Sequence, residues 1–354
     1  MRLPAGIFLL LLAACGGGGG GSSGATVPVT LGPQQLAVLY AEGDALSESI
    51  ARSYIAARGV PEANLVRVPV DVSSDQITAE AFAAVKAAVD ARVPTGMQAL
   101  LVTWTRPSRV AGACAMGLTS ALAFGYDARW CASSCLTTAT SAFYDSNSHR
   151  PFTELAMRPA MMLGASTLAE AQMLIARGKA ADGSLANSTA AHAWMVRTTD
   201  AARSVRYLDF ELLSRSSVPG ITLHYQDNGA GTSSNVVANQ SGVLFYFTGL
   251  ETVPQIATNT WLPGAAADHL TSFGGRFPDG LGQMLATEWL KAGATASYGT
   301  VEEPCNFPEK FPRATVLVNR YRAGDTLLEA YWKSVRMPGQ GLFVGEPLAR
   351  PYNP

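Results

Sequence analysis

Three short stretches gather most of the side chains able to do chemistry: Thr248-Gly249-Leu250-Glu251, Asp268-His269-Leu270-Thr271-Ser272 and Thr300-Val301-Glu302-Glu303-Pro304-Cys305. A hydrolase needs a nucleophile, a base to take its proton, and donors to hold an oxyanion. Ser272 is the best-placed hydroxyl, because Gly274 and Gly275 after Phe273 let backbone amides approach a substrate oxygen. His269 is the candidate base, with Asp268, Glu251 and Glu302 as the candidate carboxylates. A spacing of three on a strand puts His269 and Ser272 on opposite faces, so they pair only if the chain turns there. A satisfied structural histidine and a turn serine are the plainer reading. Cys305 is a second candidate nucleophile, but Glu302 and Glu303 beside it raise a thiol pKa, whereas reactive cysteines need positive neighbours. A disulfide is its expected role. Arg106, in Thr103-Trp104-Thr105-Arg106-Pro107, offers a guanidinium to an anionic ligand or else packs against Trp104. No cofactor is implied.

These residues matter because of the elements that precede them. Apolar runs at Leu36 to Tyr40, Leu65 to Val70 and Ala99 to Thr103 have strand length. Between them, Ser47 to Arg58 and Ala79 to Arg92 carry helical stripes through Ile50, Tyr54 and Ile55 and through Phe82, Val85 and Val89. This βαβαβ order implies a parallel sheet with helices on its faces, whose ligands bind outside the carboxyl ends of the strands. Pro107 to Pro151 shows little periodicity and reads as a long surface excursion held by its cysteines. Beyond it, strands are expected at Met161 to Leu163, His192 to Thr198, Gly242 to Phe247 and Ala294 to Tyr298. Gly264 to Phe273 leads into the glycine pair, and helices are expected at Thr167 to Arg177, Ala201 to Ser214, Gln283 to Lys291 and Thr326 to Val335.

The amino-terminal residues read as an export signal. Arg2, the apolar run Ile7 to Leu12 and Leu12-Ala13-Ala14-Cys15 form a lipobox-like sequence. The run is too short to span a bilayer, which takes about 20 apolar residues. Residues 1–14 are therefore expected to be a lipoprotein signal, with Cys15 lipidated and residues 15–33 a Gly/Ser-rich tether reaching on the order of 20–25 Å. Gly16 is not acidic, which favours outer-membrane sorting, facing the periplasm or the cell surface. A net charge of −1 without a basic cluster disfavours nucleic-acid binding. Cys114, Cys131, Cys135 and Cys305 read as two disulfides in an oxidising compartment, with the connectivity open. Cys131-x-x-x-Cys135 has no histidine nearby at ligand spacing, so no metal site is assigned.

Several stretches carry a resemblance: Ala56-Ala57-Arg58-Gly59-Val60-Pro61 with Asn64, Phe143-Tyr144-Asp145, Gly164-Ala165-Ser166-Thr167-Leu168-Ala169-Glu170-Ala171, Thr271-Ser272-Phe273-Gly274-Gly275, residues 293–304, and Gly345-Glu346-Pro347-Leu348. Together they resemble a family of exported bacterial proteins without an assigned function, along nearly the whole chain after the tether. The order of elements is more distantly similar to the gingipain-type cysteine peptidases. That resemblance implies an α/β, caspase-like sandwich with a mainly parallel sheet in two lobes, here residues 34–200 and 201–354. In those peptidases one strand ends in Gly-His-Gly and the next in a cysteine. The matching positions here read Thr248-Gly249-Leu250 and Ser272, so the thiol chemistry is not implied. The expected role is ligand or protein binding on a membrane-anchored domain, with an envelope protein or peptide as partner. The rivals are a hydrolase using Ser272 or Cys305, and a purely structural envelope component.

Overall fold

The computed structural model describes Met1 and residues 31–353. Apart from Met1, the expected signal, the Cys15 expected to carry a lipid and most of the expected tether lie outside the described residues. Leu31, placed in the tether by its sequence context, is only 3% exposed and belongs to the core.

The first half of the chain follows the expected rhythm. Strand β1 (Leu36–Ala41) leads to helix α1 (Ala45–Arg58), whose first turn is capped by Asp44 accepting from the Ser47 N–H at 3.0 Å. Next come β2 (Leu65–Val68), β3 (Gln76–Thr78), α2 (Ala79–Arg92, capped by Thr78) and β4 (Ala99–Val102). The excursion is less irregular than its composition implies, holding β5 (Arg109–Ala111), β6 (Ala115–Gly117) and α3 (Leu118–Phe124) before α4 (Pro151–Leu155). β7 (Ala160–Met162), α5 (Leu168–Ala181, capped by Thr167) and β8 (Ala191–Arg197) follow. Helix α6 (Tyr207–Ser214) starts later than expected, because residues 200–206 form turns in which Arg203 pairs with Asp200 at 2.8 Å.

The last third comprises β9 (Ile221–Asp227), β10 (Val243–Thr248), β11 (Trp261–His269), α7 (Ala286–Ala292), β12 (Ala296–Thr300), α8 (Ala314–Arg322), α9 (Leu327–Ser334) and β13 (Gly341–Gly345). β9, α8 and β13 have no counterpart in the sequence expectation.

The fold is α/β, with ten strands in one mostly parallel sheet ordered β2-β1-β4-β7-β13-β12-β11-β10-β8-β9. Every neighbouring pair is parallel except β12 with β13, which run antiparallel from Ala296↔Gly345 to Thr300↔Gly341. The sheet is thus two parallel halves of opposite direction, joined at one antiparallel seam. β8 lies in the second half and β13 in the first, so the halves do not divide at residue 200. Gly345 makes the seam possible. Its φ is 135°, and a Cβ there would lie 2.4 Å from the Thr295 carbonyl oxygen and 2.5 Å from Ala296.

Both disulfides expected from the cysteine count form, as Cys114–Cys131 and Cys135–Cys305. Three of the four cysteines lie in the excursion, and Cys305 fastens it beside the end of β12. Ala115 N–H donates to Glu302 Oε2 at 3.2 Å and Ser120 Oγ to the Pro338 carbonyl at 2.7 Å, so the excursion also packs over that end of the seam.

Candidate functional site

Opposite strand directions mean that the carboxyl ends of the two halves point in opposite directions. Each half therefore has its own place where the strand order reverses and a ligand crevice can open. In the second half β8 connects outward to β9 and the chain then returns to β10, so the reversal lies between β8 and β10.

That position is filled. The turn after β8 lies across it: Thr198 Oγ1 donates to the Gly249 carbonyl at 2.6 Å, and a Cβ on Gly249 would stand 1.8 Å from the Arg203 carbonyl oxygen. Only glycine allows this approach. The neighbouring side chains are equally committed. Asp268 is fully buried against Arg206, with Nη1 to Oδ1 at 2.6 Å, and Arg206 also donates to the Thr248 and Pro312 carbonyls. The contact is ionic more than directional, since neither Asp268 oxygen receives a well-aligned hydrogen bond. Burial raises the Asp268 carboxyl pKa, and the guanidinium opposes the rise.

His269 is 1% exposed and has both ring nitrogens engaged. The Trp289 indole N–H donates to Nδ1 at 2.9 Å, which leaves the proton on Nε2, and Nε2 donates to the Met284 carbonyl at 3.1 Å. Burial drives its pKa down to about 3. No lone pair remains for a general base, and among the described residues no hydrogen bond joins His269 to Ser272. Two amides beside Ser272 are used internally, Phe273 N–H by Gln283 Oε1 and Gly275 N–H by the Thr300 carbonyl, both at 2.9 Å. Glu302 receives the Ala115 amide, and Glu251 is exposed 3.7 Å from Arg203. Cys305, the alternative nucleophile, takes the disulfide role expected of it: its sulfur is bonded to Cys135, so no thiolate is present.

The first half differs. β1 connects outward to β2 and the chain returns past β1 to β4, so the reversal lies between β1 and β4. There a cleft of about 370 Å³ opens, walled by Asp44 and Leu46 after β1, Thr103 to Arg106 after β4 and Gly164 to Ser166 after β7. Phe277, Leu285, Thr287 and Lys291 close it from the other half. Of the residues weighed from sequence, Arg106 alone lines this cleft.

Its polar groups are few and defined. Trp104 is 3% exposed and its indole N–H has no acceptor. Arg106 lies 3.6 Å from Asp75 and Lys291 2.7 Å from Glu288, both as half-exposed pairs. Asp44 is occupied in capping α1. An adjoining groove of about 310 Å³ between α5 and α7 shares Gly164, Ala165, Thr287 and Lys291 with the cleft and adds Met173, Leu174, Arg177 and Leu290.

One more cluster gathers ligand-type side chains. His149 Nδ1 lies 2.8 Å from Glu329 and 3.6 Å from Asp325. Lys333 already sits on Asp325 at 2.8 Å, and the other Glu329 oxygen receives the Thr326 amide and hydroxyl. These contacts use the group internally, and they clamp the excursion to the first turn of α9. Comparison with known proteins gives no match: no family model, no curated protein and no solved structure aligns significantly with the chain.

Proposed function

We propose that the chain is an exported binding protein, anchored to the bacterial envelope by a lipid on Cys15, that takes its ligand or peptide in the cleft at the ends of β1, β4 and β7. The observation that carries this reading is the contrast between the two strand-order reversals. One is filled by the chain itself. The other is open, and in its wall Trp104 has a buried indole N–H without an acceptor. The scaffold is read as a caspase-like sandwich in two lobes, with Thr248-Gly249-Leu250 and Ser272 standing where the gingipain-type peptidases carry their dyad. The commitment of both His269 nitrogens speaks against a hydrolase at Ser272.

The test is native mass spectrometry of the purified chain after exposure to envelope extract, beside Ser166→Trp, which puts an indole into the cleft from an exposed wall position. A bound species present on the original chain and lost from the variant supports the cleft. The same species on both places the site elsewhere. Cys15→Ala, followed by membrane fractionation, tests the anchor: release of the chain into the soluble fraction is expected.

A further inference from the structure

We infer that this cleft takes a monoanionic ligand with an apolar arm, the anion held by Trp104, Arg106 and Lys291 and the arm lying in the groove between α5 and α7. The inference rests on the cleft being the ligand site. Three kinds of observation converge on it.

The Trp104 indole N–H is a donor only and is buried without an acceptor, which is costly until a partner arrives. The N–H lies beneath the cleft wall, so a ligand that reaches it by shifting that wall must present a lone pair. Arg106 and Lys291 then supply two cations from different half-sheets, with side chains 46% and 54% exposed. Their present partners Asp75 and Glu288 form surface pairs, which hold weakly and exchange readily. Against these cations the wall of the cleft has one carboxylate, Asp44, already engaged by the Ser47 amide. A carboxylate or phosphate gains charge-assisted hydrogen bonds here that a neutral group does not.

The adjoining groove sets the rest of the molecule. Met173 is 61% exposed on its wall, backed by the buried Leu174 and Leu290. Arg177 turns its guanidinium to the Leu290 and Ala294 carbonyls at the end of α7. Glu170, which receives the Ser166 amide at 2.8 Å, lines the same groove and repels a second negative charge. One charged end and one apolar end are therefore recognised together.

Calorimetric titration of the full chain carrying Cys15→Ala, which removes the lipid, decides the matter with hexanoate, hexan-1-ol, acetate and glutarate as probes. Hexanoate is expected to bind about tenfold more tightly than each of the other three. Arg106→Gln and Lys291→Gln are each expected to weaken hexanoate several-fold, and Trp104→Phe likewise with its melting temperature retained. Met173→Asp should weaken hexanoate and leave acetate unchanged. Hexan-1-ol binding as tightly as hexanoate, with Arg106→Gln silent, overturns the anion assignment and leaves the cleft as a binding site. Hexanoate binding that survives Ser166→Trp overturns the cleft itself. An absence of heat with every probe at millimolar concentration overturns the inference while the extract experiment still stands.

Discussion

The Trp289 indole N–H donates to His269 Nδ1 at 2.9 Å, and that single bond decides the tautomer and the accessible chemistry of the histidine. Removing the indole by Trp289→Phe leaves a buried nitrogen without a partner and a small void. A loss of about 1–3 kcal/mol is expected, read as a lower urea midpoint with an unchanged slope.

The same histidine makes stability depend on acidity. His269 titrates near 3 in the folded chain against about 6.5 when unfolded. Between these values the unfolded chain binds the extra proton, so its contribution is constant above about pH 6.5 and stability falls as pH drops toward 3. The slope from this one group is about 1.4 kcal/mol per pH unit. Urea unfolding at pH 7, 5 and 4 should show His269→Gln less acid-sensitive than the original chain. Equal sensitivity would remove His269 as the source.

Arg206 and Asp268 are buried together, with side chains 2% and 0% exposed. Asp268→Asn strands the guanidinium and is expected to cost about 3–5 kcal/mol. The double change Arg206→Met with Asp268→Leu should recover much of that loss. A double variant as unstable as the single one would show that the charges themselves, and not their mutual compensation, are required.

Cys135 and Cys305 close a loop of 170 residues in sequence separation. Cys135→Ser with Cys305→Ser is expected to lower stability by about 2–5 kcal/mol, and iodoacetamide should label none of Cys114, Cys131, Cys135 and Cys305 before reduction. Labelling of Cys305 in the unreduced chain would restore it as a candidate nucleophile.

Serine-directed fluorophosphonate probes should leave Ser272 unmodified, since both ring nitrogens of His269, its candidate base, are engaged elsewhere. An adduct mapped to Ser272, absent after denaturation, would reinstate the hydrolase reading.

Much of the architecture could be read from local pattern. Ile50 and Tyr54, or Phe82, Val85 and Val89, each mark a buried helical face, and Thr167 marks the start of its helix, whereas the cap Asp44 lies three residues before the expected start at Ser47. β13 could not be read this way. Gly341-Leu342-Phe343-Val344-Gly345 is five residues between glycines, and it becomes a central strand only because β7 and β12 flank it. The reversal at that seam is a long-range fact, so local pattern alone does not show that the strand ends after Gly242 point away from those of the first half. Arg106 was legible because it follows a clear strand. Lys291 reaches the same cleft through tertiary packing, as Trp289 reaches His269 from twenty residues away.

Leu31 packs into the core at the amino end of β1, whereas the cleft opens at the carboxyl end of that strand. Six residues of strand, about 20 Å, separate the two. Under the proposed anchor, the point of attachment and the mouth of the cleft therefore sit at opposite ends of β1. Ligand and proposed anchor thus need not compete for the same end of the sheet.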